Sequence, residues 1–200
     1  MHAGYTTALK LARDALSSAN PNDMAIMSGA SWLADSQYLA LSFLGNLFEV
    51  GYPQGRVMCD GEDVAQADAI IVLHYLAGAT GAALREQWIS LRELPGGEVY
   101  LESFRQRSVA LLLDCFAEDP QHLWAAVDRL GGHRQNNRVT VYALPRIPIT
   151  LVLWVGDEEV SSDGTVLYDA SAPLYLPTED LIVLADRTII ALKQAGCNRT

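Results

Sequence analysis

Residues 70–76 place the tightest limit on what this chain can fold into. Ile70, Ile71, Val72, Leu73, Tyr75 and Leu76 give a helix almost no polar side, with His74 the one interruption. A helix that is apolar around its whole circumference has to be covered on every side. The rest of the chain must therefore wrap it, and 200 residues, half of them apolar, are enough to do so. Asp63 offers an N-cap for a helix over 64–79, with Gly78 and Gly81 ending it.

Other helices read from the same 3.6-residue period. One runs over 5–18, with Leu9, Ala12 and Leu16 inward, and Asn20-Pro21-Asn22 stops it. Residues 98–117 read as one or two helices. Asp119-Pro120 opens another that carries Leu123, Trp124, Val127 and Leu130, and Gly131-Gly132 closes it. A last helix starts at Thr178 with Glu179 and Asp180 at its positive end, and Gly196 stands where a terminating glycine belongs.

Strands cluster apart from these helices. Residues 38–44 and 46–52 flank Gly45, with a turn at Pro53-Gln54-Gly55; 139–144, 149–155 and 165–169 follow in the last third. The prolines of Pro145-Arg146-Ile147-Pro148 argue against central strand pairing there. The chain reads as α+β: a single domain over 1–200 with a small, mostly antiparallel sheet packed against several helices.

Charge and cysteines narrow the function. A net charge of −10 and a pI near 4.7 argue against nucleic acid or an anionic membrane as partner. No window resembles a secretory signal or a membrane span. Cys59, Cys115 and Cys197 lie far apart, which is neither a disulfide framework nor a metal signature, so a cytoplasmic location is expected.

Few residues carry recognisable chemistry. Arg129, Arg134, Arg138 and Arg146 share a stretch without an acid, and Asp157, Glu158, Glu159 and Asp163 follow at once. Gly131-Gly132-His133-Arg134 can present N–H groups to an anion, although a capped, solvated loop explains it more simply. Gly156-Asp157-Glu158-Glu159, after an apolar strand, can supply a general base or a hard-cation site if burial raises a carboxyl pKa; a charged surface turn is the plainer reading. His74 is either a satisfied core histidine or a ligand or proton shuttle. His2, His122 and His133 are isolated and expected to be exposed. Trp88, Arg92, Tyr100 and Arg105 can line a pocket for a planar or anionic ligand, and helix–loop packing accounts for them equally well. No paired-histidine zinc motif, nucleophile elbow, P-loop or dinucleotide fingerprint is present.

Several motifs in one order resemble a known family. They are Leu73-His74-Tyr75-Leu76, then Trp88 with Arg92-Glu93-Leu94-Pro95-Gly96-Gly97, Tyr100 and Phe104, then Leu130-Gly131-Gly132. Leu144-Pro145 with Pro148, Trp154 with Gly156-Asp157-Glu158-Glu159, and Tyr175-Leu176-Pro177-Thr178-Glu179-Asp180-Leu181 complete the set. Together they resemble a family of domains of unknown function from anaerobic bacteria and archaea. Some of its members carry, fused ahead, a four-cysteine iron–sulfur domain like that of corrinoid iron–sulfur proteins. This chain lacks those cysteines and has Val160-Ser161 where the family has Phe-Pro. The resemblance implies anaerobic corrinoid, one-carbon or redox metabolism and an iron–sulfur or corrinoid protein as partner, with no defined activity or cofactor.

The reading that follows is a small-ligand or cofactor-binding module. Its pocket is expected to be bounded by His74, Tyr75, Trp88, Arg92, Tyr100, Arg105, Trp154, Asp157 and Glu158. Aromatics would stack on the ligand, arginines neutralise an anionic group and carboxylates orient it. Two alternatives are an enzyme with Asp157 or Glu158 as general base and a protein-interaction scaffold.

Overall fold

A computed structural model describes the backbone of residues 2–197 and the side chains of residues 5–196. His2 and Cys197 therefore lie outside the described side chains. Helices α1 (His2–Ser18), α2 (Pro21–Ser28) and α3 (Gln66–Gly78) flank a first sheet. That sheet is an antiparallel meander of β1 (Ser31–Leu33), β2 (Tyr38–Phe43), β3 (Asn46–Gly51), β4 (Arg56–Cys59) and β5 (Glu62–Asp63), each strand beside its neighbour in sequence. The second sheet begins with β6 (Trp88–Ser90), and its other strands follow the helices α4 (Leu101–Phe104), α5 (Ala110–Phe116) and α6 (Pro120–Arg129). It comprises β6, β7 (His133–Gln135), β8 (Arg138–Leu144), β9 (Ile147–Trp154) and β10 (Asp163–Asp169), in the order β6-β10-β9-β8-β7, all antiparallel. Helix α7 (Thr178–Cys197) closes the described chain. The class is α+β as expected, with two five-stranded sheets in place of one small sheet.

The all-apolar helix sits where its sequence requires. Ile71, Val72, Leu73, Tyr75 and Leu76 of α3 are buried in one continuous core with α1, both sheets and α7, and Ile70 is buried as well. At roughly 1.5–3 kcal/mol per fully buried large apolar side chain, this helix is a main contributor to the stability of the core. Asp63 does not cap it. That residue belongs to β5, where its carboxylate holds the Arg56 guanidinium at 2.7 Å, and α3 starts at Gln66 without a side-chain cap. Gly196 lies within α7, packed against His122 of α6, and does not terminate the helix.

Pro148 enters a central strand after all. It lies opposite Tyr142 near the start of β9, where β8 bulges at Ala143. Pro148 has no N–H to give, and Ala143, the residue the bulge skips, offers its carbonyl to the Leu44 N–H at 2.9 Å. That bond joins the turn of the first sheet to the second. Further along, Thr140 and Thr150 face each other in register and share a buried hydroxyl bond of 2.7 Å.

The segment after β6 is compact. Glu93 accepts from both the N–H and the hydroxyl of Ser90, at 2.8 and 2.9 Å, which winds residues 91–93 into one 3₁₀ turn. Gly96 adopts φ 69°, and Gly97 packs so close that a Cβ there would lie 1.8 Å from the Leu91 carbonyl oxygen. Residues 98–117 form helix as expected, but residues Arg105–Val109 widen to π geometry between α4 and α5. The wider turn lets both the Ser108 hydroxyl and the Arg107 Nε reach Asp186 of α7, at 2.5 and 2.9 Å. Gly97→Ala is expected to cost about 3 kcal/mol, because backbone atoms must move. Gly96→Ala, in open space, should cost about 1 kcal/mol for its left-handed backbone. Urea denaturation of the two variants measures the difference.

Candidate functional site

The nine residues expected to share a pocket separate into four places. Trp88 lies opposite Asp169 and Trp154 opposite Asp163, so the two indoles stand at opposite ends of β10, about 20 Å apart at 3.3 Å per residue. A single small-molecule pocket does not reach both. Tyr75 belongs to the core and has no exposed surface.

The Gly156–Glu159 turn is a surface turn. Asp157, Glu158 and Glu159 are all exposed. Asp157 Oδ1 accepts from the N–H groups of Glu159 and Val160, both at 2.9 Å, and these bonds hold its carboxyl below the usual range. A general base needs the opposite environment, one that raises the pKa. Val155 and Val160 flank the turn with exposed apolar side chains, and Trp154 is half exposed beside them. The Gly131–Arg134 segment does not cradle an anion either. Gly131 ends α6, residues His133–Gln135 form the edge strand β7, and the Arg134 guanidinium lies 3.9 Å over the Trp124 ring.

Four of the expected residues do converge on neighbouring elements. Arg92, on the 3₁₀ turn after β6, and Arg105, at the start of the π turn, line one cleft of about 340 Å³. Leu91, Leu101, Phe104 and Val109 supply its apolar wall, with Ser90 and Glu102 as further polar groups. Gly164 of β10 also lines it. Arg105 carries an exposed ion pair with Asp163 at 3.3 Å, of the kind that is worth little in water. Arg92 forms no ion pair among the described residues.

Beside this cleft, the first turn of α7 collects His74 and Tyr100. Tyr100 donates to Glu179 Oε1 at 2.7 Å, and Thr178 donates to the Pro95 carbonyl at 2.7 Å. His74 Nδ1 meets Asp180 Oδ2 at 2.6 Å, and the imidazole is one-third exposed while the carboxylate is largely covered. The hydrogen bond to Asp180 raises the His74 pKa above that of a free imidazole, against the opposing effect of burial. With Nδ1–H given to Asp180, Nε2 becomes the basic nitrogen. Asp180 and Glu179 read in the sequence only as helix-start acids. His74 and Asp180 lie 106 positions apart, and no pattern in the sequence pairs them. No group of three or more metal-ligating side chains occurs among the described residues.

A family model described as a domain of unknown function, DUF3786, matches residues 20–191. No curated protein and no solved structure matches the chain. Among the described residues, no helix is long and apolar enough to cross a membrane.

The His74–Asp180 pair sets a pH dependence. The folded pKa lies above the unfolded one, so the pair contributes fully below pH 6.5 and its contribution is lost as pH rises through the raised value. Thermal denaturation across this window is expected to show a loss of about 1 kcal/mol or less, given partial solvent screening. His74→Gln should flatten that part of the profile.

Proposed function

The chain belongs to the DUF3786 family, and we propose that it is a small-ligand or cofactor-binding module whose ligand carries an anionic group. The observation that supports this most is that Arg92 and Arg105, on separate elements, line one cleft of about 340 Å³ with an apolar wall. Cavities of this size hold small metabolites, and guanidinium groups recognise carboxylate or phosphate through charge-assisted hydrogen bonds. In this reading Leu91, Leu101 and Phe104 cover the ligand body, Arg92 and Arg105 neutralise its charge, and Ser90 and Glu102 set its orientation. Placing an anion on Arg105 competes only with an exposed ion pair.

The setting we propose is anaerobic corrinoid, one-carbon or redox metabolism in the cytoplasm, with an iron–sulfur or corrinoid protein as partner. The family resemblance supports the metabolic setting, and the free thiol of Cys59 suits a reducing compartment. The exposed Trp154, Val155 and Val160 favour a second reading, an interaction scaffold with that partner seated on the end of β9.

Native and denaturing mass spectra of protein purified without oxygen test the first reading. An added mass that is lost on denaturation is expected, with retention reduced at least about tenfold in the Arg92→Gln, Arg105→Gln double variant. A bare 21.8 kDa chain, or equal retention in the double variant, would count against it. Trp154→Ala that lowers capture of a corrinoid iron–sulfur protein while leaving ligand retention intact would favour the scaffold.

A further inference from the structure

We propose that the groove between α1 and the β3–β4 turn is a second binding site, for an amphipathic monoanion of the fatty-carboxylate class. The proposal involves none of the residues of the Arg92 cleft.

Two clefts of about 410 and 450 Å³ meet at Leu9, Arg13 and Gln54 and make one continuous groove. Its electrostatics run against those of the chain. The sequence holds 24 acids and 14 lysines and arginines, yet this groove is lined by Lys10, Arg13 and Arg56 against only Asp14 and Asp63. Arg56 and Asp63 already satisfy each other at 2.7 Å, and Arg13 takes part in no ion pair among the described residues. Lys10 and Arg13, set against Asp14, therefore leave one net positive charge for an incoming anion.

Arg13 is also held in place. Its Nε donates to the Gly55 carbonyl at 3.2 Å, which ties the guanidinium to the wall of the groove that Arg13 lines. Gly55 is needed for this: it adopts φ +67°, and a Cβ there would lie 2.8 Å from Arg13 Cγ. Gln54 and Gln66 bring amide groups to the same walls. The remaining lining is apolar, from Leu9, Val57, Val64 and Ala69.

A small inorganic anion would meet Arg13 and leave that apolar lining wet. A neutral hydrocarbon would cover the lining and leave the charge unanswered. A carboxylate head on Arg13, with a short alkyl body along Leu9 and Val64, satisfies both.

Titration of the ¹⁵N-labelled full chain with octanoate, followed by NMR, tests the assignment, with inorganic phosphate as a parallel probe. Octanoate is expected to shift the Gln54 and Gln66 side-chain amides and the Arg13 Nε–H in a saturable way. Arg13→Gln should weaken it about tenfold. Asp63→Asn, which removes the competing acid, should tighten it, a change of sign that a damaged fold does not produce. No shift at these groups with octanoate at about 10 mM, or equal affinity in Arg13→Gln, would overturn the site. Octanoate shifts confined to Arg92 and Arg105 would overturn it too. Phosphate acting as strongly as octanoate would overturn the amphipathic class.

Discussion

One phenol ties together parts of the chain that no local sequence signal connects. Tyr75 lies at the centre of α3 with its ring stacked on Tyr175 at 5.7 Å. Its hydroxyl donates to the Ser28 carbonyl at the end of α2, at 2.5 Å, and accepts the Arg146 N–H from the β8–β9 turn at 3.1 Å. Burial pushes the phenol pKa upward, so the group remains a donor at every physiological pH. Each backbone group it serves would otherwise stand unmet in the interior, at a cost of about 1–3 kcal/mol. The central helix, the close of α2, the β8–β9 turn and the approach to α7 all take their positions from this one side chain.

The candidate site inherits that framework. With α3 fixed, His74 meets Asp180, and the same turn of α7 receives Tyr100 through Glu179 and the Pro95 carbonyl through Thr178. The Pro95–Tyr100 segment is thereby pinned at both ends, and Arg92 is held on one side of it by the Ser90–Glu93 turn. Arg105 arrives from the far side, on the turn whose widening brings Ser108 and Arg107 to Asp186. The two arginines are therefore placed by ordered neighbours, the arrangement that a preformed binding cleft requires.

Much of this was legible in the sequence, for identifiable reasons. α1, α6 and α7 announced themselves through apolar stripes and α3 through an apolar run on every side, while the Asp63 cap and the Gly196 stop read for α3 and α7 were misplaced; the β2–β3 hairpin showed through its flanking runs around Gly45. Short strands did not. β1, β5, β6 and β7 have two or three residues each, several of them exposed, so alternation has no room to show. Pro148 misled because the rule against proline in central strands assumes a regular ladder, and the bulge at Ala143 relaxes it. Arg92 and Arg105 could be picked as partners because they lie close in sequence on amphipathic segments. Asp180 could not, since its role depends on a helix more than a hundred residues away. Asp157 and Glu158 stood out as a carboxylate run, but a run of charge carries no information about burial, and burial decides their chemistry.

The two sheets also differ in how far the chain must travel to make them. Every pairing in β1–β5 joins consecutive strands across short turns. β6, by contrast, waits for β10, with Ser90 opposite Leu167 and all of α4 to β9 lying between. Closing a long loop carries an entropic cost before its contacts are gained, which makes non-local pairing slow. The first sheet can thus zip locally during synthesis, while the strand that leads into Arg92 docks only after β10 exists. The cleft rests on the most distant strand pairing among the described residues.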